Sequence, residues 1–64
     1  MKITYEKVKE AVEELESENV SPTLVMIYLR IGAKVTRRYL SVDEEYQVRR
    51  HIERGIKDNE LEEF

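Results

Sequence analysis

A chain of 64 residues without a single cysteine must be held together by packing alone. At this length only about 60% of the unfolded surface is buried on folding, so stability is marginal without reinforcement. The missing cysteines exclude disulfide staples and thiolate metal sites, and His51, the one histidine, excludes a nitrogen-rich zinc site. What remains is close helix packing or association with another chain. A composition of 41% hydrophobic and 39% charged residues belongs to a folded, well-solvated domain rather than a disordered one. No apolar run approaches the roughly 20 residues of a membrane span. The opening residues, Met1 to Glu6, lack the apolar stretch of a signal peptide, so a cytoplasmic protein is expected. Scarce glutamine and asparagine beside abundant Glu, Lys and Arg lean toward a thermophilic source.

Apolar spacing divides the chain into helices. Tyr5, Val8, Ala11, Val12 and Leu15 recur every three or four residues and predict a helix over 5–17. Thr4 is its N-cap, Ile3 and Val8 form a hydrophobic staple across the cap, and Asn19 suits a left-handed C-terminal position. Ser21 followed by Pro22 is a strong helix start, with Val20 and Val25 repeating the staple geometry. The second helix runs through Leu24, Val25, Met26, Ile27, Tyr28, Leu29, Arg30 and Ile31, apolar on nearly every side, and Gly32 is expected to end it in a left-handed turn. A short third helix is expected near Ala33–Leu40, with Lys34, Arg37, Arg38 and Ser41 on one side and Val35, Tyr39 and Val42 on the other. Ser41 and Glu44 read as a capping box that opens a fourth helix, from Val42 or Asp43 to about Arg54. Val42, Tyr46, Ile52 and Ile56 are its expected buried side and Gly55 its stop. The alternative for residues 45–57 is a β-hairpin wing. The expected domain is thus residues 1–57, followed by an acidic tail over 58–64 that is either frayed or a short helix begun by Asp58. The fold class is all-α: a three-to-four-helix bundle of helix-turn-helix type, with a winged-helix variant possible.

Charge is distributed unevenly along this plan. Residues 1–20 carry a net −3, residues 21–42 a net +4 with no acid, and residues 43–64 a net −4. A basic middle between acidic flanks is a local electrostatic footprint that the total of −3 conceals. A short helix with a basic face and an apolar back, following another helix, is what a recognition helix requires. The expected function is therefore sequence-specific binding of double-stranded DNA by a transcriptional regulator. Arg37 and Arg38 would contact phosphate or guanine edges and Lys34 a phosphate or base edge, while the hydroxyls of Thr36 and Ser41 reach phosphate oxygens. Arg50 and Arg54, with Lys57, would add a second basic strip.

The run Ser21-Pro22-Thr23-Leu24, then Ile27, Ile31 and Gly32, and the pair Tyr39-Leu40 closing the next segment, resembles the N-terminal DNA-binding region of KfrA-type plasmid proteins over residues 4–41. Tyr5, Val8 and Ala11 are similar to that family's first helix. The resemblance implies a helix-turn-helix whose recognition segment ends at Tyr39-Leu40. The segment from Gly32 to Leu40 is about two residues shorter than in the family. The long coiled coil that follows in that family is not expected over residues 42–64.

Helix 2 holds more apolar surface than a three-helix core can cover. Leu24, Ile27, Tyr28 and Ile31 face inward, leaving Val25, Met26 and Leu29 for a homodimer interface or for cover by the fourth helix through Val48 and Ile52. Two other classes of function compete with DNA binding. One is a protein-interaction module with the same fold. The other is an acidic DNA mimic acting through Glu13, Glu14, Glu16 and Glu62. No cofactor, metal or small-molecule ligand is expected. His51 has no nucleophile or carboxylate constellation near it in sequence and reads as a surface residue, so the chain is expected not to be an enzyme.

Overall fold

The computed structural model of the chain describes residues 2–18 and 24–61. Three helices follow one another, α1 (Tyr5–Ser17), α2 (Leu24–Thr36) and α3 (Val42–Lys57), and each packs against the other two. The architecture is an all-α bundle of three helices, and no strand occurs among the described residues. Asn19, Val20, Ser21, Pro22 and Glu62, expected at capping, staple and tail positions, lie outside the described residues, as does the side chain of Leu24.

The first helix is the one its spacing predicts. Thr4 holds an extended conformation and its hydroxyl accepts a hydrogen bond from the Lys7 amide at 3.3 Å, satisfying a donor that the helix itself leaves free. Ile3 and Val8 are both buried, as a staple requires. Val8, Ala11, Val12 and Leu15 form the buried stripe, whereas Tyr5 at its edge is half-buried. The segment before α1 is fastened to α3. Ile3 donates its amide to Gln47 Oε1 at 3.3 Å, and its carbonyl lies 3.0 Å from His51 Nε2, which must carry a proton to donate there. His51 also packs on the Tyr5 ring, so it is a half-buried structural residue rather than the surface residue expected from sequence.

The second helix does not stop at Gly32. It continues to Thr36, and no glycine has a positive φ. Glycine in a helix interior costs about 1 kcal/mol relative to alanine, and what it permits here is close approach. A Cβ at position 32 would overlap Leu40 Cγ and stand 2.8 Å from Leu40 Cδ1. The helix ends instead where Arg37 turns into the left-handed region at φ 60, while the Thr36 hydroxyl bonds the Gly32 carbonyl at 2.8 Å and accepts from the Arg38 amide at 3.4 Å. Such local bonding offers the backbone an exit from the helix. The expected short helix over Ala33–Leu40 is therefore absent. Its first four residues complete α2, and residues 37–41 form the connection to α3.

The third helix carries the capping box: Ser41 Oγ accepts from the Glu44 amide at 3.3 Å and Glu44 Oε1 accepts from the Ser41 amide at 3.1 Å. Asp43, Glu44 and Glu45 in the first turn, and Arg54 and Lys57 in the last, both suit the helix dipole. Residues 45–57, the alternative wing, are helical throughout. Val48 and Ile52 enter the core, but Val42 and Tyr46, expected on the same side, are exposed. Gly55 lies inside α3 rather than ending it. A Cβ there would overlap Leu61 Cδ1 and stand 3.0 Å from the Tyr5 hydroxyl. The start of the tail is thus neither frayed nor helical. Residues 58–61 turn back, with Asn59 at φ 59, burying Leu61 in the core while Tyr5 donates a hydrogen bond to Glu60 Oε2.

Candidate functional site

The seven residues expected to touch DNA are distributed over two helices and a connection. Lys34 and Thr36 are on α2, Arg37 and Arg38 in the connection, Ser41 at the cap of α3, and Arg50 and Arg54 far along it. Ser41 and Arg54 are about 20 Å apart along the axis at 1.5 Å per residue. Lys34, Thr36, Arg37, Arg38 and Ser41, expected on or beside one short helix, are divided between α2, the connection and the α3 cap, and the first turn of α3 is acidic.

Several of the seven are engaged within the chain. Arg38 clasps Glu44 with two hydrogen bonds of 2.7 Å, one from each terminal nitrogen, and also donates to the Tyr39 carbonyl at 3.2 Å. Glu44 is only 5% exposed. Its carboxyl is held down to about 2, first by the Arg38 hydrogen bonds and then by the Ser41 amide. Removing Arg38 would leave the Glu44 carboxylate as an uncompensated buried charge, whereas the guanidinium itself is half exposed. Lys34 bridges Glu14 at 3.0 Å and Glu18 at 3.1 Å across to α1, which raises its affinity for its proton. The Thr36 and Ser41 hydroxyls serve the two helix ends. Arg50 donates to the Tyr46 hydroxyl at 3.2 Å and lies over its ring, and Arg54 stacks on Tyr5 at 4.9 Å and approaches Asp58 at 3.7 Å. Arg37 is exposed, and its side chain has no hydrogen-bond or ion-pair partner among the described residues. The same holds for Arg30 on α2.

A different feature dominates the surface. Val25, Met26, Leu29, Tyr39, Val42 and Tyr46 are all between 45% and 87% exposed. On α2, Val25, Leu29 and Ala33 are successive members of an i,i+4 row, and Met26 flanks them. At one end of that row a groove of about 310 Å³ is lined by Val25, Tyr28, Val42, Glu45, Tyr46 and Arg49. At the other, a second groove of about 480 Å³ is lined by Leu29, Ala33, Arg37, Arg38 and Tyr39. The row joins the two, so the outer faces of α2 and α3 present one apolar strip from Tyr46 to Tyr39. Val48 and Ile52, the side chains of α3 that could have covered Val25, Met26 and Leu29, face the core instead. Soluble monomers rarely leave large apolar side chains contiguous on the surface in this way without a use for them.

Sequence spacing assigns Tyr39, Val42 and Tyr46 to buried sides, and all three are outside. For Tyr46 the helical phase holds a contrary signal. At 100° per residue it stands 200° from Val48, so the two cannot share one buried face. The placement of Tyr39 depends on a helix that does not form. Among the described residues no group of three His, Asp or Glu side chains is placed to hold a metal ion, and no helix is long and apolar enough to cross a membrane. No family model, curated protein or solved structure matches the chain.

Proposed function

We propose that this chain is a protein-interaction module whose docking surface is the outer face of α2 and α3. The observation that carries the reading is the continuous apolar strip formed by Val25, Leu29, Tyr39, Val42 and Tyr46. The strip has the anatomy of an interface, with an aliphatic centre of Val25 and Leu29, an exposed tyrosine at either end, and Glu45, Arg37 and Arg49 as its polar rim. The absence of cysteine makes a direct test possible, because Leu29→Cys creates the one thiol in the chain. At sub-micromolar concentration, a maleimide should label that thiol nearly as fast as in urea, and labelling should slow when a partner covers the face. Slow labelling at every dilution would mean that the face is covered within the chain, and the reading would fall.

A second reading keeps duplex DNA as the ligand. It is favoured by the net +4 of residues 21–42, where Arg30 and Arg37 are exposed cations without an ion-pair partner among the described residues. On this reading, Arg37→Ala reduces the salt slope of random-duplex affinity by about one unit for each phosphate that the guanidinium neutralises. An unaltered slope, or no binding at low salt, removes it. The KfrA-type likeness belongs to this second reading and stands or falls with it.

A further inference from the structure

We infer that the occupant of the α2–α3 face is a second copy of this chain, docked about a two-fold axis that runs beside the Val25–Tyr46 groove. The inference rests on the docking-surface reading and adds the identity of the partner. Its argument is the charge pattern around the groove. Glu45 and Arg49 line it one helical turn apart on α3, both exposed. Glu45 has no ion-pair partner among the described residues, and Arg49 has only a long approach to Glu53 at 3.9 Å. A partner presenting one sign of charge would be repelled by one of the two. A two-fold that runs α3 antiparallel to its own copy sets Glu45 of each chain against Arg49 of the other, and both pairs form at once. Opposite charges bordering an apolar groove in equal number make the surface complementary to itself, with Tyr46 of each chain beside the axis between the two pairs and Val42 further out along α3.

The face agrees: six large apolar side chains between 45% and 87% exposed supply the apolar part that an interface between two copies requires. A 64-residue chain without cysteine also gains from association stability that disulfides cannot supply.

The experiment is sedimentation equilibrium on the full chain across micromolar concentrations, with a charge-reversal pair. The parent should dimerise. Glu45→Arg and Arg49→Glu each replace two attractive pairings by two repulsive ones and should weaken self-association about tenfold, given the modest strength of exposed pairs. An equimolar mixture of the two variants restores both pairings in a heterodimer, which should form preferentially and near parental affinity. Circular dichroism melts establish that each variant is folded. A parent that stays monomeric, while the thiol of Leu29→Cys labels rapidly at all concentrations, overturns the second-copy inference but leaves the docking surface intact. A parent that dimerises, with no preference for the mixed pair and undiminished association in Val25→Glu, overturns the inference by placing the interface elsewhere. Slow labelling even at high dilution overturns both readings.

Discussion

Gly32→Ala tests the central departure of the fold from the helix-turn-helix plan, because the sign of its effect depends on one neighbour. Gly32 is helical, so alanine should gain up to about 1 kcal/mol of helix propensity. Against that, its Cβ would overlap Cγ of Leu40 and stand 2.8 and 2.9 Å from Cδ1 and Cδ2. These distances are too short to hold, and the half-buried Leu40 must be displaced from α2. Overpacking of this kind costs about 1–3 kcal/mol. The net expectation is a loss of roughly 1 kcal/mol, or about 4–8 °C in Tm for a domain of this size. In the Leu40→Ala background the obstruction is gone and only the propensity gain remains, so the same substitution should raise Tm by a similar amount. The coupling of about 2 kcal/mol is large for a pair eight residues apart and is measurable by urea melts of the four chains. A left-handed turn at Gly32 makes a different prediction: alanine would destabilise both backgrounds equally, since the strain would be in the backbone. Equal losses in the two backgrounds would refute the continuous helix and restore the junction at Gly32. A gain in both would show that Leu40 does not pack there.

Two further outcomes follow from the connection between α2 and α3. The carboxyl of Glu44 is held near 2 when folded and has an ordinary value near 4.5 when unfolded. The pair with Arg38 therefore stabilises the fold fully above pH 4.5 and progressively less as pH falls toward 2. The acid arm of the Tm profile should flatten over that window in Glu44→Gln, and a mutant profile parallel to the parent's would contradict the assignment. Arg37 occupies the left-handed region at φ 60, where a side chain costs about 1–2 kcal/mol, so Arg37→Gly should raise stability by up to about 1 kcal/mol, and a drop in Tm would deny the turn.

The helices with one apolar stripe are legible in the sequence, and the site is legible only in part. In α1, spacing, cap and staple agree, and nothing outside the helix competes with them. The capping box of α3 is equally plain, because its two partners are three residues apart. Gly32 and Gly55 mislead for one reason. Glycine signals either a left-handed turn or a close approach, and the choice depends on Leu40 and Leu61, which reach those positions through the tertiary fold. The cations at Lys34 and Arg38 look free in sequence because their partners, Glu14 on α1, Glu18 at its C-cap and the buried Glu44, are brought in by the fold. Val25, Met26 and Leu29 are identifiable from the excess apolar surface of α2, an argument that needs only the number of faces a small bundle can cover.

The Arg38–Glu44 pair has a consequence for the surface. The pair is buried on the Glu44 side alone, and desolvation of that carboxylate opposes the attraction, so the pair adds little net stability. What it fixes here is the connection. Arg38 is held to the first turn of α3, Thr36 and Arg37 close α2, and Leu40 is seated on Gly32. With both neighbours of Tyr39 directed to partners inside the chain, Tyr39 is left outward at 87% exposure. Its exposure is thus imposed by a satisfied network on either side of it, as is that of Val42, which follows the Ser41 cap. A backbone fixed by well-bonded neighbours does not need to reorganise before a partner covers it, which limits the entropy cost of docking to the side chains themselves. The connection that fails to form a recognition helix instead presents the apolar end of the α2–α3 face.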